Sequence, residues 1–121
     1  MKRRTVVTLH GSCHCGNIHF EVEGEVGAAL ACNCSICSRK GALLWAAPRH
    51  DFHLRERSEE MGRYTFNRHA IAHRFCPICG IHTHSEDTDL AGDAAVYVNL
   101  RCLEDFDLAR VPVHHFDGRA M

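Results

Sequence analysis

Seven of the eight cysteines in this chain of 121 residues fall into three short runs, and each run has a spacing that suits metal chemistry. Cys76-Pro77-Ile78-Cys79-Gly80 is a C-x-x-C-G knuckle. Its short spacer turns two thiolates toward one point, and the glycine lets the backbone fold tightly enough for amide N–H groups to face sulfur. Cys13-His14-Cys15-Gly16 offers a second, tighter pair. Together the pairs supply four thiolates, the tetrahedral set of a closed structural Zn²⁺ site. They lie 61 positions apart, so a shared ion would staple the first third of the chain to the last. A thioredoxin-like redox pair is the competing reading of Cys76 and Cys79, but it needs a βαβ setting that this sequence lacks.

The third run, Cys32-Asn33-Cys34-Ser35-Ile36-Cys37, is different in kind. Three thiolates in six residues can wrap one face of a metal, whereas a single short turn rarely supplies the fourth ligand. Three protein ligands with an open position mark a catalytic rather than a structural zinc. Such a centre carries a formal −1 charge and is soft, so it favours an incoming thiolate. Arg39 and Lys40 follow at once and are candidates to offset that charge and attract an anionic thiol, the alternative being solvated surface cations. Two further readings stay open: a nearby histidine closing the site, or a disulfide within the run when metal is absent.

The elements that must hold these residues read as strands. Ile18, Phe20 and Val22 alternate with polar neighbours, as do Val96, Val98 and Leu100, which is the period of half-buried β structure. Shorter candidates are residues 5–9, 43–47, 52–55, 63–66, 72–75, 81–84 and 111–115. Glycines at 11, 24, 27, 62, 80 and 92 read as the turns between them. Helix is expected only as short pieces, at residues 35–40 and 103–108. Without a linker or repeat, residues 1–121 read as one all-β domain. Both paired-cysteine motifs end in a glycine and lead straight into a strand.

Charges nearly cancel, 15 acidic against 14 basic residues for a net −1, which argues against a dedicated nucleic-acid or membrane-surface binder. The basic start Met1-Lys2-Arg3-Arg4 is followed by an apolar run that dies at His10. A signal peptide needs about 7–15 apolar residues and a membrane span about 20, so neither is read here. A cytoplasmic location follows as the expectation, and there dense cysteines mean metal more often than disulfides.

Taken in order, Gly11-Ser12-Cys13-His14-Cys15-Gly16, Cys32-Asn33-Cys34-Ser35-Ile36-Cys37 and Phe75-Cys76-Pro77-Ile78-Cys79-Gly80 resemble the glutathione-dependent formaldehyde-activating enzyme family, which includes the centromere-protein-V-like domains. The likeness extends to Val98-Asn99-Leu100-Arg101-Cys102-Leu103-Glu104-Asp105 and to Phe116-Asp117-Gly118, and so spans nearly the whole chain. It implies a Mss4-like, β-tent fold with two zinc sites. Cys13, Cys15, Cys76 and Cys79 take the structural role, and Cys32, Cys34 and Cys37 the catalytic one. The implied activity joins glutathione to formaldehyde as a carbon–sulfur lyase, with a small thiol as partner. Between Cys37 and the knuckle no pattern diagnostic of a γ-glutamyl group is present.

Other residues are set aside on physical grounds. Cys102 reads as a core thiol. His82 and His84, spaced i, i+2, are expected on one strand face as satisfied or solvated side chains. His69 and His73 lack the intervening glutamate of a zinc-helix motif. His114 and His115 point to opposite strand faces, and Trp45 and Phe66 read as core aromatics. The rival to an enzyme is a non-catalytic Mss4-like zinc module, which a closed fourth ligand at Cys32/Cys34/Cys37 would favour.

Overall fold

The computed structural model describes residues 7–55, 61–66, 71–88 and 92–118. Among them ten strands form two sheets, with one four-residue helix and short 3-10 turns as the only helical pieces. The all-β expectation holds. The first sheet is antiparallel, order β1-β2-β5, built from β1 (Thr8–Ser12), β2 (His19–Glu23) and β5 (Phe52–Leu54). The second has seven strands in the order β10-β3-β4-β9-β8-β7-β6. Its members are β3 (Ala29–Cys32), β4 (Leu44–Pro48), β6 (Gly62–Tyr64), β7 (Ala72–Phe75), β8 (His82–Thr88), β9 (Ala94–Asn99) and β10 (Val113–Phe116). All neighbours run antiparallel except β10, which lies parallel to β3.

The alternating residues do what their period requires. Phe20 and Val22 of β2 and Phe52 of β5 point inward to meet Ala47, Val96, Val98 and Leu100 from the larger sheet. The Phe20 and Phe52 rings stack at 5.1 Å. Burying a ring such as Phe20 contributes about 1.5–3 kcal/mol, so this layer supplies much of what holds the two sheets together. Two glycines read as turns instead sit in strands. A Cβ on Gly11 would overlap the Phe20 ring, and one on Gly62 the Phe75 ring, so both mark close approaches rather than chain reversals.

Two further expectations are corrected, and one strand lies where none was read. Strand structure at residues 5–9 moves to Thr8–Ser12, where the pairing with His19–Glu23 fixes the register; residues 5 and 6 lie outside the described residues. Residues 103–108 form no helix: Leu103 is buried and bridges Gly11, and only Leu108–Arg110 makes a 3-10 turn, capped by the Asp107 carboxylate. A single buried Leu103 pinned to β1 outweighs the weak helical signal of its acidic neighbours. Strand β3 had no alternating pattern to announce it, because its run Ala-Leu-Ala-Cys contains no polar residue to alternate with.

Candidate metal centres and adjoining cavity

The two paired-cysteine motifs fold as the same turn. In each, the first cysteine's amide donates to the carbonyl five residues on, Cys13 to Ile18 at 3.1 Å and Cys76 to Ile81 at 3.0 Å. Each turn uses a left-handed glycine, Gly16 at φ 85° and Gly80 at φ 81°. Amides then face sulfur: Ile18 N–H approaches Cys13 Sγ at 3.3 Å, and the N–H groups of Ile78 and Cys79 approach Cys76 Sγ at 3.4 Å. Cys13 and Cys15 lie between β1 and β2, Cys76 and Cys79 between β7 and β8, so this cluster joins the two sheets.

Its geometry suits a tetrahedral ion. The four sulfurs lie within 4.8 Å of one another, with Cys13–Cys15 at 3.7 Å and Cys15–Cys76 at 3.6 Å. A tetrahedron of ~2.3 Å metal–sulfur bonds has edges of about 3.8 Å. The Cys15 and Ile81 amides lower the Cys79 thiol to about 6, which favours the thiolate that a metal needs.

The second cluster hangs from the end of β3 and the start of α1 (Cys37–Lys40). Cys32, Cys34 and Cys37 bring their sulfurs within 4.8 Å of one another, and among the described residues no further ligand atom joins them. The Cys34 amide faces Cys32 Sγ and the Cys37 amide faces Cys34 Sγ, both at 3.4 Å. Burial, followed by the neighbouring Cys34 and the negative charge of the other two sulfurs, pushes Cys37 up to about 12. Three thiolates crowded into this loop repel one another, and a metal cation among them would relieve that repulsion.

The chain's tail fixes that loop. Strand β10 runs beside β3, the Asn33 amide donates to the Phe116 carbonyl at 3.2 Å, and Asn33 Nδ2 donates to Asp117 Oδ1 at 2.9 Å. Gly118 then lies so close that a Cβ there would stand 2.5 Å from Cys32 Sγ. The closing Phe116-Asp117-Gly118 segment is thus a clamp on the metal loop.

Beside the loop lies a cavity of about 500 Å³, walled by Ile36 and Lys40 on either side of Cys37 and by β6, β7 and β8. Its floor is a polar chain. Lys40 Nζ is 3.3 Å from His73 Nδ1, His73 Nδ1 is 3.1 Å from Ser85 Oγ, and Ser85 Oγ is 3.0 Å from His82 Nε2. An ammonium only donates, so His73 Nδ1 accepts and its ring proton sits on Nε2. His73 Nε2 and His82 Nδ1 are both buried without a partner among the described residues. Burial first, then the Lys40 charge, lowers His73 to about 4 and His82 to about 3, so both rings are neutral at pH 7.

This chain was not visible in the spacing. His82 and His84 were expected on one face, but a bulge between Arg74 and Phe75 of β7 pairs His82 with Phe75 and His84 with Arg74, leaving Thr83 extra. His82 therefore turns to the cavity, while His84 packs on Phe52 at 4.5 Å and bonds Thr83. Phe66 stacks on His73 at 5.6 Å rather than filling the main core, whereas Trp45 does pack against that core. Arg39 does not line this cavity and donates to the Ser35 carbonyl at 2.6 Å. His69 lies outside the described residues, and the half-buried Cys102 stands apart from both clusters, its thiol donating to the His82 carbonyl.

Residues 8–118 match the family model of the glutathione-dependent formaldehyde-activating enzyme. The chain belongs to that family. A crystal structure of a Rhodobacter sphaeroides protein, a structural-genomics target, is similar at 33% identity and a TM-score of 0.75, covering 87% of this chain and 99% of that one. Within the family segment fall both cysteine clusters, the cavity and the Phe116–Gly118 clamp. No helix among the described residues is long and apolar enough to cross a membrane.

Proposed function

We propose that this protein is a zinc-dependent carbon–sulfur lyase that adds a small thiol of the glutathione type to an aldehyde, or runs the reverse cleavage. Cys13, Cys15, Cys76 and Cys79 hold a structural zinc, and Cys32, Cys34 and Cys37 hold the reactive one. The observation that carries the reading is the three-sulfur cluster, with no fourth ligand among the described residues, set beside a cavity. Zinc on those three sulfurs supplies a Lewis-acid seat that lowers the pKa of an incoming thiol. The chain's own residues do the rest. Amides of Cys34 and Cys37 stabilise the ligand thiolates, Gly118 and Asn33 hold the loop's shape, and Lys40 sets a positive charge beside a cluster whose net charge is negative. A cytoplasmic, single-domain protein acting on a soluble thiol fits this chemistry.

Cobalt substitution tests the reading, because thiolate-to-metal bands report each site. Millimolar glutathione is expected to change the bands assigned to the Cys32/Cys34/Cys37 site and leave the four-sulfur site unchanged. A spectrum indifferent to the thiol overturns the enzyme reading in favour of a non-catalytic zinc module.

A further inference from the structure

Among the described residues most Lys and Arg side chains are already engaged. Arg49 and Arg74 face Glu86, Arg55 pairs with Glu21, and Arg110 pairs with Asp107. Arg39 and Arg101 donate to the backbone carbonyls of Ser35 and Gly41. Lys40 and Arg63 are different: among the described residues neither has a carboxylate partner, and both line the cavity beside the metal loop. Among the described residues no acidic side chain lines that cavity. Apolar walls with a few placed polar groups are what a small-molecule site presents.

The Lys40 ammonium is also held in place. It is half-buried, its side chain follows directly from the turn bearing Cys37, and His73 Nδ1 accepts from it at 3.3 Å. His73 is only 6% exposed, and its ring is fixed by Ser85 and through Ser85 by His82. A neutral imidazole directs the ammonium without cancelling its charge. Among the described residues His73 Nε2 and His82 Nδ1 have no partner, as buried polar groups of functional sites often do not.

We propose that this cavity binds a carboxylate of the thiol substrate, with Lys40 as its counter-cation and His73 as the residue that positions Lys40, so that the protein selects carboxylate-bearing thiols over uncharged ones. The proposal rests on the thiol reading above and specifies its substrate class. A thiol seated at Cys32/Cys34/Cys37 then has its carboxylate directed to the Ile36–Lys40 wall, and Arg63 on β6 supplies further positive potential.

The experiment compares glutathione with its diethyl ester, which keeps the thiol and lacks both carboxylates, by titrating each into the cobalt-loaded full chain. Wild type is expected to bind glutathione roughly 10-fold tighter than the ester, the scale of one charge-assisted contact. Lys40→Met should bring the two thiols to within about 2-fold of each other, by weakening glutathione and not the ester, and Lys40→Arg should restore part of the difference. His73→Phe should lose part of the preference while ester binding holds, a split that a merely structural role for His73 would not give. Arg63→Gln, on an exposed strand position, is a second variant for the same readout, and it should reduce the preference with unchanged metal content. Equal binding of glutathione and ester by wild type overturns this proposal alone, as does a preference undiminished in Lys40→Met. Failure of both thiols to alter the spectrum overturns the thiol reading itself, and this proposal with it.

Discussion

At the scale of the residue, hydrogen atoms and single methyl groups decide what the site can hold. Gly118 is the clearest case, since a Cβ there would stand 2.5 Å from Cys32 Sγ and 3.1 Å from Cys34 Cβ. An approach of 2.5 Å cannot be accommodated in place, so the Cys32 sulfur or the tail must shift. Gly118→Ala is expected to lower metal content at the three-sulfur site from one equivalent toward none, while the melting temperature moves by only a few degrees, because that loop closes little chain. Metal stoichiometry with calorimetry on the same sample checks it. His84 makes a different statement. Burial, against the favourable charge of Glu86 and with the opposing charges of Arg74 and Arg49, lowers it from 6.5 to about 4. The unfolded chain therefore takes up the proton first. Stability conferred by the neutral ring is fully present above pH 6.5 and is lost as the pH falls toward 4, at about 1.4 kcal/mol per pH unit for one such proton. His73 and His82 are lowered in the same way, so urea unfolding in excess zinc between pH 7 and 5 should show the summed slope of these rings, and His84→Gln should flatten it by about one proton. An unchanged slope in that variant would mean that His84 is not the group being titrated.

At the scale of the element, legibility tracked how local the signal was. Strands β2 and β9 were readable because apolar and more polar residues alternate along them, although β9 buries residues on both faces, and the β7 boundaries agree with residues 72–75 as read from sequence. The three cysteine motifs were readable because within each the spacing along the chain sets the local geometry, and their sulfurs gather into a four-membered and a three-membered cluster that could hold a metal ion. Strand β3 escaped, as did its parallel pairing with β10, because that partnership joins residues more than eighty positions apart. The same cause hid the Lys40–His73–Ser85–His82 chain, whose members come from α1, β7 and β8 and meet only through a bulge that no residue type announces. The tail was recognisable as a motif but not as a clamp. That clamp leads to a prediction about β10 as a unit. A chain ending at Pro112 loses the strand beside β3, the Asn33–Asp117 bond and the Gly118 cover together. It should retain the metal of the four-sulfur cluster and lose that of the three-sulfur loop, counted by metal analysis after gel filtration. Loss of both ions would show that β10 supports the entire sheet rather than the loop.

At the scale of the whole molecule, the two clusters differ in what they connect. Cys13 and Cys15 leave the three-stranded sheet and Cys76 and Cys79 leave the seven-stranded one, so an ion among them closes a span of 61 residues and ties sheet to sheet. A closure of that length restrains the unfolded chain by about 4 kcal/mol in the chain-entropy picture. Metal binding by such a set is itself folding free energy. Cys32, Cys34 and Cys37 instead lie within six residues at one end of the seven-stranded sheet and close almost nothing. Serine is a poor zinc ligand at neutral pH, so one substitution in each set separates the roles. Cys76→Ser should lower the melting temperature by about 10 °C or more, or yield no soluble protein, the scale expected when several kcal/mol are lost from a domain of this size. Cys34→Ser should stay folded with one metal ion fewer, and its spectrum should no longer respond to glutathione. Stability then follows one set of cysteines and thiol chemistry the other. Should Cys34→Ser unfold the protein as fully as Cys76→Ser, the two sheets would have to depend on the loop as much as on the staple, and the division of labour between the sites would be wrong.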